Sequence, residues 1–380
     1  MSDFDDQALQ RLCDIIQKDI DNGQIYGASI ILAQHGKVGL QRTFGASSPS
    51  GRPTSEDDLY LMMSLSKSFT ATLILRAIDQ GRFSLDTKVV DILPEFGTGG
   101  KQNVTIRHLL NHTAGTFSSF NPPGITTEDL RDLKKTVGAL STLPAEFIPG
   151  QRCRYNPFAS YTFLGQILVV TDPAKRCFRD IAKEDLFLPL GMKDTEFGIA
   201  SENPRRVPIA HTPMHTKSST AFWQKYLTAA TVDGSEFPAG GCYSTAQDVF
   251  RFAEVMRQSG NNGQHRLLSP SLFDYACKNH TGSLSNDFWD FEKATHGIQD
   301  YPALFSLLGG YVRGEGHYLT GAGLTASPRA FYAVGGGSTM WMVDPDRDVT
   351  FIFLSCGFIE GLAHFKRLQR LSDLALAACN

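Results

Sequence analysis

The placement of strand-like segments constrains the fold most, because they occupy both ends of the chain and leave helical patterns between them. The pattern of residues 27–45 indicates two strands around a turn at 35–37. Residues 306–357 return to strand patterns, in the segments LLGGYV, YLTGAGL, RAFYAVGG, STMWMVDP and VTFIFLSCG. The sequence therefore predicts an α+β fold in which one antiparallel sheet is assembled from both ends of the chain.

The middle of the chain, residues 83–240, is mostly helix and loop. Outside it, apolar residues at helical spacing predict helices over 5–21, 64–80 and 359–377. We therefore predict two domains: an α/β sheet domain from residues 1–82 and 241–380, and a mainly helical domain from residues 83–240.

Composition and charge exclude several classes of protein. The 26 Phe and 11 Tyr are too many aromatic side chains for a disordered chain. The formal net charge is −3 without a long basic run, so nucleic acid is not expected as a partner. No stretch approaches the roughly 18 apolar residues that span a bilayer, and the acidic N-terminus does not resemble a secretory signal. The seven scattered cysteines indicate reduced thiols and a cytoplasmic location, and they argue against a zinc site.

The first candidate for chemistry is the segment from Ser64 to Lys67. The two residues are three apart at the start of a helix and share one face. The positive end of the helix favours negative charge on the serine oxygen, and burial favours a neutral lysine amine that can take the serine proton. An N-cap serine followed by a solvated lysine is the simpler alternative. The strongly apolar helix MMSLSKSFTATLIL favours the catalytic interpretation.

Two further segments are candidates for the same site. Tyr155 lies between a Pro-Gly turn and an apolar helix, and a tyrosine hydroxyl can move a proton when a neighbouring cation lowers its pKa. The alternative is an ordinary half-buried tyrosine. Gly335, Gly336 and Gly337 interrupt a strand pattern, which suits a backbone N–H that a reacting carbonyl must approach closely. A β-bulge explains these glycines equally well.

Other patterns carry less weight. His108 and His112 are four apart but lack a third ligand, so we interpret them as core or capping histidines, and we predict no metal. The chain has no GxSxG, P-loop or dinucleotide-binding motif, and we predict no cofactor. The irregular, aromatic stretch 280–304 is either a lid or a packed loop.

Four blocks together resemble the serine β-lactamase and penicillin-binding-protein superfamily, in particular its class C-like branch of family VIII-type carboxylesterases and lovastatin-type fungal acyltransferases. The blocks are MMSLSKSFTATLIL, VTIRHLLNHTAG, LFLPLGMKDTEFG and AGGCYSTAQDVFRF, and the resemblance covers residues 10–375. The family fold is an antiparallel sheet flanked by helices plus a helical domain. Its active site lies in the cleft between them.

The resemblance implies a role for each candidate. Ser64 is the acylated nucleophile, Lys67 its base and Tyr155 the tyrosine of the family's Y-x-N motif. The backbone N–H groups of Ser64 and Gly336 form the oxyanion hole.

This sequence departs from the family pattern in two places. The Asn of Y-x-N is lost or shifted, because Tyr155 is followed by Asn156 and Pro157. The third motif begins with Ala333, which removes the cation that holds a carboxylate in true β-lactamases and peptidases. Restoring Lys at position 333 would return that partner.

We therefore expect a cytoplasmic serine esterase or acyltransferase that acts on an apolar ester or thioester. A role in secondary metabolism is one option, and an acyl carrier or CoA thioester is an option for the acyl donor. A β-lactamase or D-amino-acid peptidase is the first alternative, and a non-catalytic binding protein with the same fold is the second. Aromatic residues and glycines are expected to contact the substrate, namely Phe120, Phe158, Trp223, Gly335 and Gly337.

Overall fold

The computed structural model describes residues 4–359 and 361–380. The strands are β1 (Gly27–Gln34), β2 (Lys37–Gly45), β3 (Tyr60–Leu61), β4 (Glu196–Phe197), β5 (Cys242–Ser244), β6 (Tyr311–Val312), β7 (Phe331–Gly335), β8 (Thr339–Asp344) and β9 (Val349–Cys356). The α-helices are α1 (Asp6–Asp21), α2 (Ser66–Asp79), α3 (Ile106–Leu110), α4 (Leu133–Ser141), α5 (Ala159–Thr171), α6 (Phe178–Ala182), α7 (Thr220–Ala230), α8 (Ala246–Arg257), α9 (Pro270–Ala276), α10 (Asp290–His296) and α11 (Gly361–Ala377).

The main sheet joins the two ends of the sequence, which confirms the predicted α+β class. Its six strands run in the order β2-β1-β9-β8-β7-β6, and every neighbouring pair is antiparallel. β1 pairs with β9 over its whole length, from Gly27 opposite Cys356 to Gln34 opposite Val349. Both strands are buried throughout, as expected for the centre of a sheet with helices on both faces.

Helices cover the two faces of this sheet because successive strand residues point to opposite sides. On one face, α1 and α11 contribute Leu12 and Leu368 to a core that includes Phe351. On the other face, α2 and α8 contribute Phe69 and Phe252, whose rings meet edge to face at 4.9 Å between centroids. Each such side chain stabilises the fold by about 1.5–3 kcal/mol when fully buried.

Two local predictions were wrong. The segment YLTGAGL is not a strand, because residues 318–324 form turns whose backbone carbonyls bind the buried guanidinium of Arg313. A small second sheet, of order β3-β5-β4, was not predicted. Strands of two or three residues leave too short an alternation to be found in a sequence.

The helices of the middle region pack around α5, which contacts α2, α3, α4 and α6. This arrangement brings the residues just before α5 against the start of α2. None of the helices formed by the described residues has both the length and the apolar character needed to cross a membrane.

Candidate active site

Ser64 lies in a short 3-10 turn, Met63–Leu65, that runs directly into α2. Met63, the residue before it, has a left-handed backbone with φ of 49°, which is uncommon for a side chain of this size. The Oγ1 hydroxyl of Thr339 donates to the carbonyl of Met62 at 2.9 Å and ties the turn to β8. Ser64 therefore sits on a backbone that is held in place from the main sheet.

Lys67 is 1% exposed, and its Nζ is surrounded by oxygen atoms. Nζ lies 2.8 Å from the carbonyl oxygen of Pro157, 2.7 Å from that of Ala239 and 3.2 Å from Ser64 Oγ. Burial lowers the pKa of Lys67 well below its usual value. A neutral amine can donate its two protons to the two carbonyls, which leaves its lone pair for the Ser64 hydroxyl.

Tyr155 contacts the same oxygen from the other side, since its hydroxyl donates to Ser64 Oγ at 2.6 Å. Burial raises the pKa of Tyr155 above its usual range. The condition set for a proton-moving tyrosine, a neighbouring cation that lowers its pKa, is therefore not met here, because desolvation of the buried hydroxyl outweighs every lowering effect. Tyr155 is a phenol at neutral pH, and Lys67 is the group that can take the serine proton.

The shifted asparagine serves the backbone instead of the cleft. Asn156 is buried, and its side chain donates to the carbonyls of Thr116 and Phe117 while accepting the N–H of Ser160 in the first turn of α5. The family's Asn position is occupied by Pro157, which has no side-chain donor and offers its backbone carbonyl to Lys67. The local chain thus keeps Lys67 in place without that amide.

The two histidines take structural positions near the site. The ring of His108 accepts the N–H of Thr105 as part of a capping box at the start of α3. The ring of His112 accepts the N–H of Asn156 at 3.0 Å and packs against the Tyr155 ring, with 4.8 Å between centroids. These contacts confirm the capping and core interpretation.

The glycine segment forms the turn between β7 and β8. A Cβ on Gly335 would lie 2.1 Å from the carbonyl oxygen of Met62, so only glycine allows this approach to the nucleophile turn. Val334, Gly336 and Gly337 line the same pocket as Ser64. Gly335 itself does not line the pocket, but its missing side chain allows β7 to approach the turn that carries Ser64.

That pocket has a volume of about 730 Å³ and reaches Ser64 and Tyr155 at its base. Phe120 and Trp223 line it, and their rings meet edge to face at 4.9 Å. Phe158 does not line it, because its ring is buried in the core and packs on Phe237. An aromatic residue next to an active-site motif cannot be assigned to wall or core from sequence alone.

The stretch 280–304 supplies much of the remaining wall. It contains helix α10, and its Phe288, Trp289 and Phe291 line the pocket. Arg152 anchors the stretch through an ion pair with Asp287 at 2.7 Å. The stretch is therefore tied down at Asp287, whereas α10 itself has no buried residue, so the first part resembles a packed loop and the helix lies over the pocket.

Polar pocket residues were missed by the sequence analysis. Lys217, Glu292, His296 and Lys366 also line the pocket, and they come from three separate parts of the chain that share no motif. The pocket therefore does contain cations, although Ala333 is not one of them. The absence of a lysine at position 333 therefore does not exclude a substrate that carries a carboxylate.

The comparison with protein families decides the relationship. The protein family described as Beta-lactamase matches residues 12–374, which is nearly the whole chain. The chain belongs to the Beta-lactamase family. This confirms the resemblance on which Ser64, Lys67 and Tyr155 were first aligned, and it supports an enzyme of the serine hydrolase kind.

Relatives within the Beta-lactamase family include enzymes named as esterases. Esterase EstB of Burkholderia gladioli is 28% identical over 307 residues, which cover 72% of this chain and 74% of that protein. Among solved structures, a penicillin-binding-protein homologue from Caulobacter crescentus has a TM-score of 0.78 at 22% identity, with 97% of both chains covered. EstCE1, a hydrolase with promiscuous acyltransferase activity, has a TM-score of 0.76 at 21% identity, with 97% of this chain and 99% of that chain covered.

Proposed function

We propose that this protein is a serine esterase or acyltransferase that works through an acyl-enzyme on Ser64. One observation carries the proposal. Ser64 Oγ lies 2.6 Å from the hydroxyl of Tyr155 and 3.2 Å from Nζ of a buried Lys67 whose protons are directed at two carbonyls. A serine oxygen between a neutral amine and a phenol is an activated nucleophile.

Acylation follows from this arrangement. The Ser64 hydroxyl gives its proton to Lys67 as Oγ bonds to the substrate carbonyl carbon, and the carbonyl electrons move to its oxygen. The backbone N–H groups of Ser64 and Gly336 stabilise that oxyanion. When the tetrahedral intermediate collapses, the bond to the leaving oxygen or sulfur breaks, and Tyr155 gives that atom its proton. Lys67 then returns a proton to Tyr155.

Deacylation repeats the same steps with a new nucleophile. An acceptor hydroxyl, from water or an alcohol, gives its proton to Lys67 as its oxygen bonds to the acyl carbon. Collapse breaks the bond to Oγ, which recovers its proton, so the enzyme ends as it began. Hydrolysis and transfer differ only in which acceptor reaches the acyl carbon.

The pocket wall supports an apolar acyl or alcohol group. Aromatic side chains such as Phe120, Trp223 and Phe288 line it, and their rings offer an apolar surface to a bound group. The esterase and acyltransferase names among the family relatives support ester or thioester chemistry. Oxygen esters, acyl-carrier thioesters and CoA thioesters all meet these requirements, as would a substrate from secondary metabolism.

The test compares a p-nitrophenyl butyrate assay with a chromogenic cephalosporin assay under steady state. We expect kcat/KM for the ester to exceed that for the cephalosporin by at least about a hundredfold; a preference for the cephalosporin would overturn the proposal in favour of a β-lactamase.

A serine-directed phosphonate followed by mass spectrometry should place one adduct on Ser64. A binding protein without catalysis would give neither turnover nor adduct. Adding alcohols separates transfer from hydrolysis, because only a transferase diverts product from the acid to the new ester.

A further inference from the structure

A buried arginine lies directly behind the glycine turn of the pocket. Arg367, on α11, is 5% exposed, and its Nη2 donates to the carbonyl of Gly337 at 3.0 Å. The same nitrogen lies 2.9 Å from Nδ1 of His364, and the guanidinium carbon is 4.9 Å from the centre of the Phe353 ring. Within residues 4–359 and 361–380, no carboxylate forms an ion pair with it. The carboxylate of Asp19, which pairs with Arg370, acts on this guanidinium through space only, so Arg367 is a buried positive charge without a direct ion pair.

Keeping this charge buried is costly to the fold. Nε and Nη1 of Arg367 are buried and have no hydrogen-bond partner among the described residues. Burial lowers the pKa of Arg367 to about 9, which still leaves it charged at neutral pH. Unpaired buried donors and charges destabilise folded proteins. The Gly337 carbonyl accepts both Arg367 Nη2 and the N–H of Ile359, which offsets the cost for one of the guanidinium nitrogens only.

His364 does not neutralise this charge. Its side chain is buried and lines the pocket. Burial and the neighbouring Arg367 lower the pKa of His364 well below its usual value, so the ring is neutral. A neutral ring accepts one N–H from Arg367 and leaves its net charge unchanged.

The turn separates this charge from the nucleophile. Gly336 and Gly337 line the pocket with Ser64, and the strand before them presses on the Met62 carbonyl two residues before the serine. The guanidinium holds the far side of the same turn. A fixed charge in such a dry location acts strongly on charge that develops nearby, since little water screens it.

We propose that Arg367 is a positioning residue that fixes the Gly336–Gly337 turn and places a positive charge behind it, so that the oxyanion formed during acylation of Ser64 is stabilised. This inference rests on the proposed function. It also explains why an arginine with two unused donors is retained in the core. The expected signature is a residue whose removal weakens catalysis without weakening the fold.

The decisive variant is Arg367→Met, which keeps the apolar stem and removes the charge. With p-nitrophenyl butyrate we expect kcat to fall roughly tenfold or more and KM to stay within about threefold. The fall in kcat should be smaller than the roughly 10²–10³-fold loss that follows removal of a direct oxyanion donor, because Arg367 acts indirectly. Affinity for an aryl boronic acid, which forms a tetrahedral adduct on serine, should fall by a similar factor. The midpoint of thermal unfolding should be unchanged or higher, because orphan donors leave the core.

Arg313→Met is the matched control, because Arg313 is a second buried arginine that donates to the carbonyls of Gly314, Gly316 and Leu324 and does not line the pocket. It should leave kcat and boronic acid affinity unchanged. Arg367→Lys keeps a cation and should recover most of the lost activity, whereas Arg367→Gln keeps a donor without charge and should not. Should Arg367→Met fail to fold, the Gln variant carries the test.

Two results overturn the inference. The first is that Arg367→Met leaves kcat and boronic acid affinity unchanged. The second is that Arg367→Met lowers the unfolding midpoint while kcat stays normal, which would show that Arg367 has a structural role only. Failure of the proposed function gives a different result. In that case wild-type protein itself shows no ester turnover and no phosphonate adduct on Ser64.

Discussion

The side chain of Asn286 accepts the backbone N–H of Tyr155 at 2.9 Å. The same oxygen accepts the N–H of Phe288 at 3.1 Å, and the Phe288 ring packs edge to face on the Tyr155 ring. A buried residue of the stretch 280–304 therefore holds both the backbone of Tyr155, which contacts Ser64, and the backbone of Phe288, which lines the pocket. The shape of the wall and the position of the phenol are linked through this amide.

Asn286→Ala should lower kcat for ester cleavage about tenfold, because it frees the Tyr155 backbone and leaves its N–H without an acceptor. The lost hydrogen bonds should also destabilise the fold by about 1–3 kcal/mol. Asn279→Ala is the control, since Asn279 makes only local hydrogen bonds within 279–282. Steady-state kinetics of both variants check this. Equal kcat values for the two would show that Asn286 does not position Tyr155.

Ser64→Ala should abolish acylation, with turnover lowered by several orders of magnitude, because no other oxygen occupies its place. Ser66→Ala is the matched control, since Ser66 is buried and its Oγ accepts the N–H of Cys242. It should cost about 1 kcal/mol of stability and keep the acyl-enzyme. Phosphonate labelling with mass spectrometry distinguishes the two, and a labelled Ser64→Ala protein would refute the nucleophile assignment.

Lys67→Arg should be as inactive as Lys67→Ala, because a guanidinium does not lose its proton to become a neutral base. Lys101 provides the control, as a second buried lysine that donates to the carbonyls of Thr98 and Ser141 far from the site. Lys101→Met should lower stability and leave kcat unchanged. Normal acylation by Lys67→Arg would instead assign the base to Tyr155.

The rate of acylation should rise with pH and level off at a lower pH than an ordinary lysine would allow, because burial lowers the pKa of Lys67 well below its usual value. Burial raises the pKa of Tyr155, so the phenol itself causes no fall up to about pH 10. A fall above about pH 9 is expected only from loss of the Arg367 charge, because burial lowers that pKa to about 9. A profile of kcat/KM from pH 5 to pH 10 measures both limbs. A rate still climbing at pH 10 would mean that Lys67 is charged at neutral pH.

Phe291→Ala should reduce the preference for long acyl chains. Phe291 lines the pocket and is 71% exposed, so it has little role in folding. We expect kcat/KM for p-nitrophenyl octanoate to fall about fivefold and that for the acetate to stay constant, because only the long chain contacts the ring. Phe158→Leu, in the core, should lower stability and leave the octanoate-to-acetate ratio unchanged. An unaltered ratio in Phe291→Ala would exclude this part of the wall from acyl binding.

The sequence predicted more of the site than of the pocket. Ser64 and Lys67 could be found because three residues of spacing place them on one helix face, a relation that depends on local geometry alone. Tyr155 and Gly336 lie far away in sequence and could be assigned only through the family motifs. The direction of the Tyr155 pKa could not be predicted because it depends on how deeply the tertiary fold buries the Tyr155 hydroxyl, which no local pattern records.

The pocket wall illustrates where local patterns stop being informative. Phe120 and Phe158 both lie near the site motifs, yet one lines the cavity and the other is buried. The charges of Lys217 and Lys366 were missed because they reach the pocket through the tertiary fold. The strand assignment of 318–324 failed because the carbonyls there bind the Arg313 side chain instead of a neighbouring strand.

The pairing of β1 with β9 has a consequence for the order of events during synthesis. β1 leaves the ribosome before the other strands, but its partner strand ends at Cys356, so the centre of the sheet stays open until about 320 further residues have been made. Until then the apolar strand Gly27–Gln34 has one unpaired edge, and the turn carrying Ser64 lacks its tie to Thr339. A nascent chain of this protein therefore exposes an apolar strand edge throughout this interval, and the Ser64 turn is secured only after β8 has been made.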